Sequence, residues 1–323
     1  MKYYFITNPA AGKKNVTEEL FSNITKVCEE KGVSYEIYRT KCAGDATDFV
    51  KGVCEANADG DELCFFACGG DGTLNEVASG TVDYPFASVG LIPRGTGNDF
   101  VRNFTDPSIF LDVSSQLDGS THTVDILRCN EKYSVNMINI GFDCEVVKRM
   151  VRIKRSPLVP SKLAYIFALV ITMIKKPGVK VKIKKADGNE NDMSLLLTTF
   201  ANGCFCGGGF RSNPYAELRD GKINALFVNN VSRLKFLMLV SSYKKGTHIV
   251  PKNEKILSST TCESFELHFP ASQSISIDGE LHEVDKILKI DAIRGALRFR
   301  IPAGSGFVKE KDAGAIEKSA VGV

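Results

Sequence analysis

Residues 62–80, ELCFFACGGDGTLNEVASG, decide how the chain is read. ELCFFAC is an apolar strand-like run, TLNEVASG opens a helix, and between them glycines surround one carboxylate, Asp71. A strand that turns through glycines straight into a helix is the repeating unit of a parallel sheet. The pattern continues outward on both sides. YYFITN (3–8) is a strand, and VTEELFSNITKVCEEKG (16–32) is a helix with Leu20, Phe21, Ile24 and Val27 on one face and Gly32 as its stop. VSYEIYRT (33–40) and FASVGLIP (86–93) are further strands, and DATDFVKGVCEAN (45–57) is a further helix. Alternation of this kind predicts a parallel sheet with right-handed crossovers.

From Thr123 strand follows strand: TVDILRC, KYSVNMINIG, VKVKIKK, MSLLLTTFAN, KINALFVN, SFELHFP, SISIDGE, ILKIDAI and ALRFRIP. Turn signals such as CNEK and ADGNEND separate several of them, so an antiparallel β-rich second domain is expected. Helices are expected near Lys162–Lys175 and Ser232–Lys245. A length of 323 residues suits two domains with a core each. A net charge of +3 excludes a general polyelectrolyte binder. The ten cysteines are scattered, form no C-x-x-C and do not cluster with the four histidines, so they read as reduced thiols of a cytosolic protein. The opening MKYYFITNPAAGKK lacks a signal-peptide h-region. The longest apolar run, Leu163–Ile174, has 12 residues, short of the roughly 20 that span a bilayer.

Three glycine-rich turns follow strands of the first domain: NPAAG (8–12), GGDGT (69–73) and PRGTGND (93–99). In an open parallel sheet they share the carboxyl edge, where backbone N–H groups and helix N-termini can meet phosphate oxygens. Neither a G-x-x-x-x-G-K-[ST] loop nor a G-x-G-x-x-G after the first strand is present. Asp71 is either a metal-organising carboxylate or a helix N-cap, and Thr73 is either a phosphate contact or a cap. Glu76 complements a helix dipole. In the second domain, Asp278–Gly279 is a common turn pair.

GGDGTLNEV, LIPRGTGNDF and NPAAGK closely resemble the diacylglycerol kinase catalytic domain family in its bacterial lipid kinase branch. VDI (124–126), GGGF…NPYAELRDGKI (207–223) and IDGE (277–280) extend the match, in family order, from about residue 3 to 302. The resemblance implies an α/β ATP-binding domain over residues 1–122, similar to those of 6-phosphofructokinase and NAD kinase. It implies a β-sandwich lipid domain over 123–290, return strands over 291–303, and an active site in the cleft between the domains. Residues 304–323 have little periodic apolar content and are expected to be a disordered tail.

By the same resemblance, ATP is bound by Asn8, Gly12, Thr40, Gly69, Gly70, Asp71, Gly72, Thr73, Gly95, Thr96, Asn98 and Asp99. Asp71 serves the Mg²⁺–ATP complex, and Glu280 accepts the proton of a lipid hydroxyl. A second, structural Mg²⁺ is held by Asp220 and the carbonyls of Glu217 and Lys222, with Asp125 joined through water. This chain has Arg219 where the family usually has an acidic residue. The implied reaction is phosphorylation of diacylglycerol to phosphatidic acid. Other lipid alcohols (phosphatidylglycerol, a sphingoid base, undecaprenol) are alternatives, followed by an NAD kinase-like enzyme and a silent nucleotide- or lipid-binding regulator. The GTGND segment is closer to bacterial diacylglycerol kinases than to sphingosine or ceramide kinases, and the chain lacks the N-x-G-x-x-G-F segment of NAD kinases. Homodimers are common in the family.

Charge adds a reading of its own. Between Lys148 and Ala186 there are 12 Lys or Arg and no Asp or Glu, which leaves 29 basic against 38 acidic residues elsewhere, a net of −9. In VKVKIKK the lysines Lys180, Lys182 and Lys184 alternate with apolar residues and share one strand face. A basic face of this kind suits an anionic membrane surface, with the protein peripheral on the cytoplasmic side. Nucleic acid is not expected, because no aromatic side chains interleave to stack on bases.

Overall fold

The computed structural model describes residues 1–9, 14–57, 60–154, 168, 171–172 and 178–308. Gly12, most of the helix expected near Lys162–Lys175, and residues 309–323 of the tail lie outside the described residues. The chain divides into two units, Met1–Thr123 with Arg298 onward, and Val124–Leu297.

In the first unit β1 (Lys2–Thr7), α1 (Lys14–Lys31), β2 (Tyr35–Arg39), α2 (Asp45–Glu55), β3 (Leu63–Gly69), α3 (Asp71–Thr81) and β4 (Ala87–Pro93) follow one another. β1 pairs in parallel with both β2 and β3, and β3 with β4. The last strand of the chain, β15 (Ile287–Ile301), pairs in parallel with β4 at Phe299 and Val89, giving the order β2-β1-β3-β4-β15. Every residue of β3 and β4 is buried, as expected for central parallel strands covered on both faces. α1 turns Leu20, Phe21, Ile24 and Cys28 inward, where Leu20, Ile24 and Cys28 meet Tyr3, Phe5, Cys64 and Phe66. Strand order reverses at β1, so the crevice between the carboxyl ends of β1 and β3 is the switch point where open sheets bind ligands.

Two 3₁₀ turns, Phe100–Asn103 and Pro107–Leu111, and a short helix α4 (Val113–Leu117) complete the unit. An aromatic cluster holds them. Phe100, Phe104 and Phe110 are fully buried, and the Phe100 and Phe104 rings lie 5.1 and 5.5 Å from that of Phe299 on β15. Buried Arg300 on the same strand donates from Nε to the Gln116 carbonyl at 2.8 Å and also bonds the Leu117 carbonyl. It thereby satisfies the otherwise unpaired end of α4.

The second unit is antiparallel. Its strands are β6 (Lys132–Ser134), β7 (Met137–Gly141), β8 (Val179–Lys185), β9 (Glu190–Ala201), β10 (Ile223–Asn229), β11 (Leu257–Cys262), β12 (Ser264–His268), β13 (Gln273–Ile277) and β14 (Glu280–Val284), with the ends of β5 (Ser120–Cys129) and β15 that fall in it. The order β14-β13-β7-β9-β8-β12-β15 carries β10 and β11 beside β9, while β5 pairs β15 and β6. The core gathers Ile138, Ile140, Val181, Phe200, Phe227, Phe265 and Ile277. A second cluster forms beneath α5 (Phe142–Lys154) and α6 (Arg233–Lys245), from Phe142, Val146, Leu197, Leu226 and Leu239.

Several elements differ from the sequence reading. α5, β11 and β14 are additional. KYSVNMINIG breaks into β6 and β7, because the amides of Val135 and Asn136 turn to the Asp278 carboxylate. ILKIDAI and ALRFRIP form one strand, in which Gly295 adopts φ +63° and donates its N–H to Asp125 at 2.7 Å.

Buried His248 carries a pH dependence. Burial lowers its pKa from 6.5 to about 4. The unfolded chain therefore binds a proton that the folded one refuses as pH falls from 6.5 toward 4. Stability is complete above 6.5 and falls by up to about 3 kcal/mol across that window. Urea denaturation at pH 7.5 and pH 4.5 should show this loss, and His248→Phe should diminish it. An equal loss in both proteins would refute the assignment.

Candidate active site

The GGDGT and PRGTGND loops leave the ends of adjacent strands and pack directly on one another. A Cβ on Gly95 would lie 2.5 Å from the Gly70 Cα, and one on Gly70 would lie 3.1 Å from the Gly95 Cα. Gly69 is needed for a different neighbour, since its Cβ would fall 2.3 Å from the Thr73 hydroxyl. The side chains are absent from this stretch first because the two loops touch backbone to backbone. The Arg94 N–H donates to the Gly69 carbonyl at 2.7 Å and links them again.

Asp71 is the first residue of α3, and the N-cap is Gly70, which makes no side-chain cap bond. The Asp71 carboxylate caps a different element. Oδ1 accepts the N–H of Asp99 at 2.9 Å and of Phe100 at 3.2 Å, at the start of the 3₁₀ turn. Oδ2 of Asp71 and Oδ2 of Asp99 both come within 3.4 Å of where a Gly97 Cβ would sit, so two carboxylates converge on a glycine. Asn98, at φ 47°, brackets the Gly95 peptide by accepting its N–H at 3.0 Å and donating to its carbonyl at 2.9 Å. Thr96 is exposed in the same loop.

Thr40 sits beside the end of β1, where its N–H donates to the Thr7 carbonyl at 2.9 Å, and Asn8 follows Thr7 half-buried. Asn8, Thr40, Gly69, Gly70 and the Gly95–Asp99 loop thus share one edge around the switch point. Thr73 is buried against Gly69 instead of standing open. Glu76 caps α2 rather than its own helix, accepting the N–H groups of Gly44 at 2.9 Å and Ala46 at 3.2 Å.

In the second unit Asp278 and Gly279 both have positive φ, 47° and 91°, and form the tight turn between β13 and β14. Glu280 opens β14 and is exposed. The turn and a role for Glu280 are therefore compatible. Buried Asp278 accepts from the Ser134 hydroxyl at 2.7 Å and from the N–H groups of Val135, Asn136 and Met137 at 2.7, 3.1 and 2.8 Å. Four donors on one carboxylate fix the turn that presents Glu280. The turn pair is legible in sequence; the carboxylate's distant partners are not.

Asp125 is buried, and its two oxygens accept the N–H groups of Gly221 at 2.6 Å and Gly295 at 2.7 Å. Its own N–H donates to the Leu218 carbonyl at 2.7 Å, so the loop 217–222 wraps around it. Asp220 in that loop accepts the Lys222 N–H at 2.9 Å. Burial, and then the Asp125 carboxylate, push the Asp220 pKa above its ordinary value. Among the described residues no three His, Cys, Asp or Glu gather as a metal group. A cation at this loop would depend on Asp220 and main-chain carbonyls, a hard oxygen donor set. Sequence reading also passed over Asp143, at the start of α5, whose carboxyl is pushed up to about 6 by burial.

The lysines of β8 alternate outward as expected, with Val179, Val181 and Ile183 buried. Their face is not purely basic. Lys182 pairs across the sheet with Asp192, and Lys184 with Glu190 on one side and Glu266 on the other. Glu190 approaches the Lys182 and Lys184 ammonium groups at 3.5 and 3.8 Å.

The diacylglycerol kinase catalytic domain family matches residues 2–129, and the YegS C-terminal NAD kinase β-sandwich-like domain matches 136–284. A diacylglycerol kinase of Staphylococcus epidermidis (strain RP62A) is 30% identical over 288 residues, covering 85% of this chain and 84% of that protein. The diacylglycerol kinase of Bacillus subtilis (strain 168) is 26% identical, covering 85% and 88%. A crystal structure of a diacylglycerol kinase from Bacillus anthracis (strain Sterne) superposes with a TM-score of 0.65 at 20% identity, covering 92% and 96%, and shares the fold.

The close packing of the two loops has a direct test. Gly95→Ala forces them apart and should cost about 1–3 kcal/mol of stability, with a fall in ATP affinity. Gly52→Ala, in the middle of α2 with open space around it, should be neutral or stabilise by about 0.5–1 kcal/mol. Thermal melts and ATP titration calorimetry on both variants decide; equal behaviour would refute the packing argument.

Proposed function

The chain belongs to the diacylglycerol kinase family and is a lipid kinase, and on that basis we propose that it moves the γ-phosphoryl group of ATP to the free hydroxyl of diacylglycerol, giving phosphatidic acid and ADP. The observation that carries this reading is the joint made by Asp71. One carboxylate ties two glycine loops together on the ligand-binding edge of the sheet, beside a second carboxylate, Asp99. Phosphoryl transfer asks little covalent chemistry of a protein and much positioning.

The backbone of Gly69, Gly70, Gly72 and Gly95, with Asn8, Thr40 and Thr96, is proposed to receive the nucleotide, Thr73 and Asn98 supporting the loops from behind. Asp71 and Asp99 are the residues that would hold Mg²⁺ bound with ATP, whose charge would offset that of the phosphates. Glu280 would accept the proton as the lipid hydroxyl attacks. Asp220, with the carbonyls of Glu217 and Lys222, would hold a structural Mg²⁺. Asp125, with both oxygens already engaged, would orient that loop through its N–H bonds and any bound water. The acceptor would be met at a membrane, where the β8 lysines are an accessory contact, their charge partly offset by Glu190, Asp192 and Glu266.

A panel of diacylglycerol, phosphatidylglycerol, sphingosine, undecaprenol and NAD with labelled ATP tests the acceptor. Label should enter diacylglycerol preferentially, and a stronger signal in another acceptor would overturn the assignment. Glu280→Gln should lower kcat by roughly 10²–10⁴-fold with ATP binding intact, whereas Asp71→Asn should lower both turnover and nucleotide affinity. Unchanged kcat in Glu280→Gln would remove it from the reaction.

The structural metal has a separate readout, because the binding energy of such an ion is folding energy. EDTA should lower the melting temperature of the native protein and leave Asp220→Ala, already less stable, unmoved. A native melting temperature indifferent to EDTA would refute the site.

A further inference from the structure

α6 is apolar on two faces. Leu239 is buried and Phe236, Val240 and Tyr243 are half-buried, with Phe236 and Tyr243 packed on the cluster that contains Phe142, Val146 and Leu226. The Phe236 ring lies 4.9 Å from that of Phe142. The opposite face carries Leu234, Leu237 and Met238, at one helical turn's spacing, with 68%, 57% and 65% of their surface exposed. A helix lying on a soluble core normally turns polar side chains outward. The other exposed large apolar residues among those described, Met1, Leu111, Ile171, Ile287 and Val308, are scattered along the chain. Among the described residues, α6 is where they concentrate.

Charge on the helix has one sign. Arg233, Lys235, Lys244 and Lys245 lie on it, and Asp and Glu are absent. Lys235, Lys244 and Lys245 are exposed, and among the described residues none of them forms an ion pair. The contrast with β8 is direct, since there Lys182 and Lys184 face carboxylates on neighbouring strands. An exposed apolar stripe flanked by lysines without acidic partners is the composition of a helix that lies in the headgroup region of an anionic bilayer.

We propose that the outer face of α6, centred on Leu234, Leu237 and Met238, is the surface by which this protein docks on an anionic membrane. The side chains enter the acyl boundary, and Lys235, Lys244 and Lys245 meet lipid phosphates. The proposal rests on the lipid kinase reading for its choice of occupant, because the acceptor lipid resides in a bilayer. Docking raises the local concentration of that acceptor and takes no part in the chemical step.

The chain contains no tryptophan, so Met238→Trp places the sole indole on the proposed face. Its emission should shift to the blue on adding vesicles of phosphatidylcholine with phosphatidylglycerol, and the shift should weaken in high salt. An unshifted spectrum overturns the proposal. Replacing Leu234, Leu237 and Met238 together by Ser should lower co-sedimentation with the same vesicles by on the order of tenfold or more. Turnover of vesicle-borne diacylglycerol should fall with it, while turnover of a short-chain, water-soluble diacylglycerol remains. Vesicle binding that survives the triple change overturns the proposal. If the triple change also converts a dimer to a monomer, the face belongs to a second copy of the chain. A native protein that phosphorylates no lipid in any form would refute the functional reading, and the indole spectrum would still decide the docking surface.

Discussion

The Asp71 carboxylate, held between the amides of Asp99 and Phe100, is the constraint on which the carboxyl edge of the first unit's sheet depends. A charged acceptor bonded to backbone N–H groups is stronger than a neutral one. It joins loops that are 28 residues apart in sequence. The joint works only because Gly70 and Gly95 let the loop backbones touch. It is braced from below by Phe100, whose buried ring packs on Phe299 of the returning strand. Core, loop and carboxylate thus form one continuous support.

The second unit uses the same device twice. Asp278 gathers four donors around the turn before Glu280, and Asp125 gathers the amides of Gly221 and Gly295. In each case a buried carboxylate is compensated by hydrogen-bond donors, most of them main-chain N–H groups, which is one of the few ways to bury such a charge without a large desolvation cost. The consequence is geometric. Loops that would otherwise be free are fixed relative to a strand, so a neighbouring acidic side chain, Glu280 or Asp220, is presented in a defined direction.

The distribution of positive charge shows how far linear counting reaches. Twelve basic residues without an acidic one, from Lys148 to Ala186, read as a strong single-sign field. In the sheet, β8 lies between β9 and β12, and Glu190, Asp192 and Glu266 stand opposite its lysines. Cross-strand pairs of opposite charge stabilise a sheet and reduce the field felt at a distance. The α6 lysines are fewer and lack acidic partners, and they flank exposed apolar side chains.

The architecture is legible in the order of the residues. The apolar runs ELCFFAC and ASVGLIP, each followed by glycines, predict central parallel strands. The alternation in VKVKIKK predicts a half-buried strand, and the motif residues carry the family. Such patterns are local, because backbone periodicity and turn geometry are set within a few residues. What each polar group does emerges only in the folded chain. Asp71 looks like a cap for its own helix and instead caps a turn near residue 100; Glu76 caps α2; and the outer face of α6 stays exposed though its residues are as apolar as the inner ones. The cause is distance along the chain. A capping carboxylate, two backbones in van der Waals touch or an exposed leucine is defined by partners tens to hundreds of residues away, and those partners come together only once the sheets have formed.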